Sequence, residues 1–350
     1  MTESKHNKTA LITGAASGIG SELTRLFAKD GYNLVLVDLN AEGLDRLAYN
    51  LKNQYGTQTS VLAVDLADEN APQEIYDQTT AANQTIDVLV NNAGFGEYGL
   101  FATETDLQKE LTIVQVNAVA LMHLTKLYLK DMVARNEGKI LLLGSEVSVI
   151  PNPMMAVYGA TKAFIKSFGE AIRNELKDTK ITVTVLMPGA TNTNFFRTAG
   201  AADVKGADPN KTADPASVAK EGYDALMSGK DHVVAGWMNK ARVAVAYLLP
   251  DPLLAAGVRD AMTPREEAER QQKQTIAIAV GVGVVVAGAF LLFSQKRSSP
   301  VSLSPYQKAK YGYKAHRAGQ SAQHALASVS DSVKEAFHNA KATVENALVS

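Results

Sequence analysis

Short runs of consecutive apolar residues recur along the first two thirds of the chain, and longer stretches with a helical spacing of apolar positions separate them. Such runs of Val, Leu and Ile are typical of strands that are covered on both faces. They predict seven strands, at residues 9–13, 33–38, 60–64, 86–91, 139–144, 181–187 and 232–235. The intervening pattern predicts helices, including residues 21–29, 107–134 and 156–176. This alternation predicts an α/β fold with a doubly wound parallel sheet.

The pattern changes after this region, which we take as one domain covering residues 9–262. Residues 263–274 are charged and form a predicted linker, and a run of 19 uncharged residues then begins at Thr275 and ends at Phe293. A helix of that length, at about 1.5 Å per residue, nearly spans a roughly 30 Å hydrocarbon core. We therefore predict a single transmembrane helix over residues 275–293. The alternative is a helix buried in a protein core or interface.

The last segment, residues 294–350, is a basic tail with eight basic and three acidic residues. Its final part repeats apolar residues every three or four positions, which predicts an amphipathic helix. Such a helix binds a lipid surface or a partner helix. The alternative is a marginal helix in a mostly disordered tail, because isolated helices are weak in water.

The start of the chain, residues 1–8, is polar and has no apolar run, so we predict no secretory signal peptide. Four basic residues lie within 20 positions on each side of residues 275–293, and the positive-inside rule therefore selects no orientation. Without a signal peptide, we expect a single-pass membrane protein whose large domain stays on the cytoplasmic side.

Composition excludes several classes of function. The formal net charge is −1, which gives no overall electrostatic signal for nucleic-acid binding. The chain has no cysteine, which excludes disulfides, thiolate catalysis and cysteine-ligated metals. We predict neither a metal site nor a nucleic-acid partner.

A glycine-rich turn, Thr-Gly-Ala-Ala-Ser-Gly-Ile-Gly, joins the first predicted strand to the first helix. Gly14 permits a tight turn, Gly18 leaves room for a pyrophosphate, and Gly20 lets the helix pack close to the sheet. The second strand ends at Asp38, whose carboxylate can accept both hydroxyls of an adenosine ribose and repels a 2′-phosphate. A Rossmann-type domain that binds NAD(H) is therefore predicted. In the alternative interpretation, Asp38 only caps a strand.

Tyr158 and Lys162 are four positions apart on a predicted helix and therefore share one face. A nearby ammonium stabilises a phenolate, which lowers the pKa of the tyrosine. Ser145 follows an apolar strand, at the edge of the sheet where doubly wound proteins bind ligands.

Together these motifs resemble the short-chain dehydrogenase/reductase family of the classical type, over residues 8–237. The resemblance implies roles for four catalytic positions, Asn117, Ser145, Tyr158 and Lys162. Tyr158 would act as acid/base, Ser145 would bind the reacting oxygen, and Lys162 would bind the nicotinamide ribose. Asn117 would hold a water path to Lys162. The cofactor-binding residues implied are Gly14, Ser17, Gly18, Ile19, Gly20, Asp38, Asp65, Asn92, Ala93, Gly94, Tyr158, Lys162, Pro188, Gly189, Thr191 and Thr193.

The resemblance implies hydride transfer between a nicotinamide cofactor and a carbonyl or alcohol, and Asp38 makes NADP(H) the less favoured cofactor. It also implies a homodimer or homotetramer, in which residues 156–176 pack against a sister subunit. A rival hypothesis is a non-catalytic NAD(P)-binding scaffold or sensor that uses the tail as its interaction site. The intact catalytic set argues against that rival.

Substrate signals are weaker. Candidate pocket residues are mostly apolar, which favours a lipophilic small molecule: Phe95, Tyr98, Val147, Pro151, Met154 and Phe195. The long stretch at residues 190–215 has no clear periodicity and is interpreted as a lid over the substrate. Glu146 departs from the family pattern, and we expect its side chain to point to water.

Overall fold

Seven parallel strands form a single sheet in the computed structural model, which describes residues 8–268 and residue 270. The strand order is β3-β2-β1-β4-β5-β6-β7. The strands are β1 (Thr9–Thr13), β2 (Asn33–Asp38), β3 (Thr59–Ala63), β4 (Ile86–Asn91), β5 (Gly138–Leu143), β6 (Ile181–Met187) and β7 (His232–Val234). All seven predicted strands are present, and four of them have the predicted bounds.

Helices cover both faces of this sheet, as the continuous apolar strands require. They are α1 (Gly18–Lys29), α2 (Ala41–Tyr55), α3 (Ala71–Ala81), α4 (Leu107–Val114), α5 (Leu121–Arg135), α6 (Ala156–Glu175), α7 (Phe195–Thr198), α8 (Pro215–Met227), α9 (Trp237–Ala246) and α10 (Asp251–Ala261). Two cores result. One packs α1, α2 and α8 against the sheet, and the other packs α3, α5 and α6 against it. The predicted Rossmann-type α/β fold is confirmed.

The order of the strands reverses between β1 and β4, which are neighbours in the sheet but not in the chain. β1 continues through α1 to β2 on one side, whereas β4 continues to β5 on the other. The loops after β1 and β4 therefore leave the sheet in opposite directions and open a crevice at its carboxyl edge. Ligands of doubly wound proteins bind in this crevice.

The predicted helix over residues 107–134 is interrupted. α4 ends at Val114, a six-residue π-helical segment follows (Gln115–Ala120), and α5 then begins at Leu121. The backbone turns without a break through all three parts. A π-helical turn accommodates one extra residue, and such turns occur frequently at functional sites.

The predicted lid at residues 190–215 carries its own small core. The short helix α7 and a 3₁₀ turn (Lys205–Ala207) interrupt the segment, and α8 begins at its end. Ala199, Ala201 and Val204 are buried against Met155, with Phe195 and Phe196 packed beside them. The segment is thus packed onto the domain by apolar contacts in this structure.

Residues 8–263 form one compact unit, and a second unit begins at Pro264. The described part of the second unit is short; Ala268 donates a backbone hydrogen bond to Pro264, and Arg270 lies 4.0 Å from Glu266. The predicted membrane-spanning segment, residues 275–293, and the predicted amphipathic tail lie outside the described residues. Among residues 8–268 and 270, no helix has the length and apolar character needed to cross a bilayer.

Candidate active site

The glycine-rich turn joins the carboxyl end of β1 to the start of α1. Gly14 and Gly18 have positive φ angles of 66° and 54°, which residues with a side chain rarely adopt. A Cβ atom on Gly14 would lie 2.7 Å from Nδ2 of Asn92, and one on Gly20 would overlap the carbonyl oxygen of Gly14. Glycine at these positions is therefore what lets the turn, the helix and the end of β4 approach each other closely.

Asn92 fastens this turn to the neighbouring strand. Its side-chain nitrogen donates hydrogen bonds to the carbonyl oxygens of Thr13 and Gly14, at 2.9 and 3.1 Å. In return, the hydroxyl of Thr13 accepts hydrogen bonds from the backbone nitrogens of Asn92 and Ala93, both at 3.0 Å. Four hydrogen bonds thus fix the turn after β1 relative to the loop after β4, on the two sides of the crevice.

A cavity of about 1680 Å³ opens at the carboxyl edge of the sheet. Its wall contains most of the predicted cofactor-binding residues: Gly14, Ser17, Gly18, Ile19, Asp38, Asp65, Asn92, Ala93, Gly94, Tyr158, Pro188, Gly189, Thr191 and Thr193. Ser145 also lines it. The predicted residues Gly20, Asn117 and Lys162 are buried and lie outside this lining. Gly20 belongs to the glycine-rich turn, and Asn117 and Lys162 lie behind the side chains that line the cavity.

The turn fits the pyrophosphate of a dinucleotide. The backbone nitrogens at the start of α1 have no helical partner, and the positive end of the helix dipole points in the same direction. Ser17 precedes the helix, and its side chain makes no capping hydrogen bond. A Cβ atom on Gly18 would lie 3.0 Å from the side chain of Thr193, so glycine leaves the space between them open. These features together form a cradle for phosphate groups.

Asp38 lies at the end of β2, beside the turn. One carboxylate oxygen accepts a hydrogen bond from the backbone nitrogen of Ala16, and the other accepts one from the backbone nitrogen of Asn40, both at 3.0 Å. A carboxylate oxygen has room for a second donor. Asp38 is therefore held in place and still has acceptor capacity that faces the cavity.

Ser145 and Tyr158 meet at the other end of the cavity. Ser145 follows β5 and caps a 3₁₀ turn (Glu146–Ser148); its hydroxyl accepts a hydrogen bond from the nitrogen of Val147 and donates one to the carbonyl oxygen of Pro188, both at 3.3 Å. Tyr158 lies in the first turn of α6. The two side chains come from separate elements, and the sheet edge brings them together.

Burial is the main influence on the phenol of Tyr158. It raises the pKa of this group, and the proximity of Glu146 raises it further, whereas a hydrogen bond with Ser145 lowers it. The lowering that the sequence suggests is thus outweighed by burial. A raised pKa keeps the phenol protonated, which suits a proton donor.

Lys162 is buried below Tyr158, with 2% of its surface exposed. Its ammonium nitrogen donates a hydrogen bond to the carbonyl oxygen of Leu143 at 2.7 Å and lies 5.5 Å from the centre of the Tyr158 ring. Burial lowers the pKa of Lys162 to about 7. The lysine and the tyrosine therefore lie on one face of α6, as the four-residue spacing predicts.

Asn117 lies in the π-helical segment and is fully buried. Its amide nitrogen donates to the carbonyl oxygen of Phe95 at 2.9 Å and to the hydroxyl of Thr161 at 3.2 Å. Its amide oxygen accepts from the backbone nitrogen of Phe95 at 3.1 Å. Asn117 thus connects the loop after β4 to Thr161 on α6, which is the residue immediately before Lys162.

The expectation for Glu146 is wrong. Its side chain is only 13% exposed and lines the cavity beside Ser145. Nη2 of Arg242, on α9, lies 3.3 Å from its Oε2 atom. The burial has a long-range cause, because the loop between β5 and α6 is covered by a helix that begins more than 90 positions later. Nothing in the sequence around Glu146 indicates this cover.

The substrate end of the cavity is largely apolar. Of the six predicted pocket residues, Phe95, Val147 and Phe195 line it. Tyr98 instead donates a hydrogen bond to the carbonyl oxygen of Met262 at 2.9 Å, and Pro151 and Met154 lie outside the lining. Further lining residues, which the sequence pattern does not indicate, come from α9, α10 and the loop between them, among them Met238, Val245, Leu249, Leu253 and Val258.

The lowered pKa of Lys162 predicts a pH-dependent stability for the cofactor-free protein. Between about pH 7 and pH 10.5 the unfolded chain binds a proton at this site that the folded chain lacks. The contribution of Lys162 to the free energy of unfolding therefore rises with pH in that window, by up to about 1.4 kcal/mol per pH unit. We expect Lys162→Met to be more stable than the wild type near pH 7, with an advantage that shrinks by pH 9. Urea unfolding followed by circular dichroism measures this difference.

The exposed residue Lys52 provides the control. Lys52→Met should differ from the wild type by the same amount at both pH values, because its ammonium is hydrated in both states. An equally constant difference for Lys162→Met would contradict burial as the cause.

Comparison with known proteins agrees with this geometry. The family model described as short chain dehydrogenase matches residues 8–203. Sulfoacetaldehyde reductase 2 of Chromohalobacter salexigens is 36% identical over 193 residues, which cover 54% of this chain and 76% of that protein. The very-long-chain 3-oxoacyl-CoA reductase of Anas platyrhynchos is 33% identical over 51% of this chain, and the match spans 58% of its length. Dehydrogenase/reductase SDR family member 7B of Mus musculus is 30% identical over 70% of this chain and 78% of its own length.

Solved structures are similar over nearly their whole length. A structure from work on 7β-hydroxysteroid dehydrogenase stereoselectivity has a TM-score of 0.65 and 25% identity, covering 73% of this chain and 97% of that one. A short-chain dehydrogenase from Sphingobium yanoikuyae, in complex with NADPH, has a TM-score of 0.61 and 26% identity, covering 69% and 96%. With the glycine turn, the Ser145–Tyr158–Lys162 geometry and the family match, the chain belongs to the short-chain dehydrogenases, which are NAD(P)-dependent oxidoreductases acting on CH–OH groups.

Proposed function

We propose that this protein is an NAD(H)-dependent oxidoreductase that interconverts a carbonyl and an alcohol on a lipophilic small molecule. The observation that carries the proposal is the convergence of Ser145 and Tyr158 on one wall of the cavity, with Lys162 buried directly below. When bound, the nicotinamide cofactor supplies or accepts the hydride. The protein supplies the proton and stabilises the oxygen.

In the direction of reduction, the phenol of Tyr158 donates a proton to the carbonyl oxygen. The hydroxyl of Ser145 donates a hydrogen bond to the same oxygen, where negative charge develops. Lys162 favours the phenolate that remains, because its ammonium lies near the ring. Asn117 holds the loop after β4 beside Lys162, and its further role is to hold a water path to that lysine.

Asp38 supports a preference for NAD(H) over NADP(H). Its carboxylate faces the cavity at the end of β2, where a 2′-phosphate would meet a negative charge. Leu39 beside it is 70% exposed and brings no positive charge to offset the repulsion. The similar structure that holds NADPH belongs to another member of the family and does not decide the cofactor of this chain.

The wall of the cavity supports a lipophilic substrate. Phe95, Val147, Phe195 and the apolar side chains from α9 and α10 line the space beyond the catalytic residues. Among similar proteins, two have names that refer to very-long-chain 3-oxoacyl-CoA and to a 7β-hydroxysteroid. A third is a sulfoacetaldehyde reductase, so similarity alone does not select the substrate.

The decisive experiment follows the absorbance of NADH with the full chain, kept in mild detergent, and a panel of medium- and long-chain ketones and aldehydes. We expect turnover that falls by about a thousandfold or more in Tyr158→Phe, since the proton donor is removed. The affinity for NADH should change little. Tight NADH binding by the wild type without any turnover would contradict the proposal and would favour a non-catalytic scaffold or sensor.

The same assay tests the cofactor preference. Asp38→Asn keeps the size of the side chain and a carbonyl oxygen for Ala16, but it removes the charge. We expect the ratio of kcat/KM with NADH to that with NADPH to fall by about tenfold, which corresponds to roughly 1.4 kcal/mol. A wild type that uses both cofactors equally well would refute the preference.

We also place the protein at a membrane, with its catalytic domain on the cytoplasmic side. The uncharged run at residues 275–293 supports the membrane association. A second observation is an exposed apolar surface on α9, α10 and the loop between them, formed by Trp237, Met238, Tyr247, Leu248 and Leu253. Met238 and Leu253 also line the cavity, so this surface borders its mouth. Contact with lipid would cover the surface and open the cavity towards a lipophilic substrate.

Trp237 is the single tryptophan of the chain and is 78% exposed, so its fluorescence reports on this surface. In phosphatidylcholine vesicles, we expect the emission of the full chain to shift to the blue and to be quenched by brominated acyl chains. Leu248→Glu should weaken both effects, because a charge is costly at the lipid boundary. Emission that stays as in water, without quenching, would exclude contact between this surface and lipid.

A second copy of the chain is the remaining partner. Exposed apolar residues along α4, the π-helical segment and α5 support a dimer: Leu107, Leu111, Val119, Met122 and Val133. Phe164 on α6 is also exposed and stacks on Phe168 at 5.6 Å between ring centres. Sedimentation of the full chain in detergent should give the mass of two or four protein chains after correction for detergent. A protein mass of one chain at micromolar concentration would exclude the oligomer.

A further inference from the structure

Glu146 places a carboxylate in the wall of the cavity, beside the catalytic serine. The residue follows Ser145 directly, and its backbone nitrogen donates a hydrogen bond to the carbonyl oxygen of Pro188 at 2.8 Å. This bond and the 3₁₀ turn that begins at Glu146 fix its backbone. The position of the side chain is therefore set by the same loop that positions the catalytic serine.

The carboxylate lacks a well-aligned donor. Within the part of the chain that the structure describes, the buried Oε2 atom of Glu146 has no hydrogen-bond partner. Arg242 is near enough for an ion pair, at 3.3 Å, but its side chain is 56% exposed and the same nitrogen donates a hydrogen bond to Asn239. The Glu146 carboxylate lines the cavity and accepts no hydrogen bond from the described residues, so a ligand that donates one to it from the cavity gains binding energy.

Apolar residues line the cavity near Glu146, and they offer no alternative partner for a polar group of the ligand. Val147 and Ile150 from the same loop and Val245 from α9 line the cavity nearby. Burial raises the pKa of the Glu146 carboxyl, and the guanidinium of Arg242 opposes the rise. A polar acceptor in an apolar wall discriminates strongly between ligands that carry a donor and ligands that do not.

We propose that Glu146 is a specificity-determining residue that accepts a hydrogen bond from a second hydroxyl group, close to the reacting carbonyl of the substrate. The inference rests on the proposed function and narrows its substrate class to hydroxy ketones and the diols they form, with an apolar chain. Ser145 and Glu146 are consecutive in the chain, so the two substrate oxygens that they bind are expected to lie on neighbouring carbon atoms. Ser145 would bind the carbonyl oxygen and Glu146 the hydroxyl.

Two probes that differ in one hydrogen-bond donor and one methyl group test this role. 1-Hydroxy-2-octanone offers the hydroxyl, whereas 1-methoxy-2-octanone has a similar electron-withdrawing oxygen without a proton. With the full chain and NADH, we expect the wild type to favour the hydroxy ketone in kcat/KM by at least about tenfold. Glu146→Leu should bring that ratio close to one. Glu146→Gln retains an acceptor oxygen, and its ratio should lie between the two.

The variant Arg242→Met distinguishes a role of Glu146 in binding substrate from a role in the ion pair with Arg242. If Glu146 only served an ion pair with Arg242, this variant would lose the preference as Glu146→Leu does. We expect it to keep the preference, because the acceptor remains in place. If Glu146→Leu does not fold, the comparison of Glu146→Gln with the wild type still decides the question.

Several results would overturn the inference: equal wild-type rates with both probes, turnover of simple ketones but of neither probe, or an unchanged ratio in Glu146→Gln and Glu146→Leu. None of these touches the proposed function, because each includes NADH-dependent turnover. Absence of turnover with every carbonyl would refute the proposed function itself, and with it the substrate class inferred here.

Discussion

The hydrogen bonds between Asn92 and the β1–α1 turn are the constraint on which the site depends. They join two loops that the strand order sends in opposite directions, and they do so where the turn has no side chains to fill the space. This arrangement costs conformational entropy, because glycine loses more backbone freedom on folding than other residues do. It gives a rigid opening whose width is set by main-chain atoms. A phosphate site built from main-chain atoms changes little when the surrounding side chains change.

The catalytic end uses a different means of fixing its groups. Lys162, Asn117 and Thr161 are almost completely buried and are held by hydrogen bonds to main chain or to each other. Burial lowers the pKa of Lys162, and the fixed positions of all three side chains mean that little reorganisation accompanies a change of charge. At one end of the cavity, main-chain atoms form the phosphate site. At the other end, buried side chains set the protonation of the reacting groups.

Much of this could be predicted from the sequence because the relevant signals are local. Apolar strands, the glycine turn and the four-residue spacing of Tyr158 and Lys162 each depend on a few adjacent positions, and the structure places them as expected. Three features could not be predicted. The π-helical segment has no distinct hydrophobic period, the cover of Glu146 comes from Arg242 on a distant helix, and α9 and α10 complete the cavity through contacts across the fold. Each depends on tertiary packing, which outweighs the local pattern.

The π-helical segment has a consequence for how this helix can vary. A regular α-helix turns by about 100° per residue, so one extra residue in an unbroken α-helix would rotate everything after it. The wider turn at Gln115–Ala120 absorbs the extra residue locally, and Leu121, Leu124, Tyr128 and Met132 of α5 still face the core. Deleting one residue here would regularise the backbone and leave this apolar stripe against the sheet. The deletion would instead move Asn117, which makes its hydrogen bonds to Phe95 and Thr161 from within the segment.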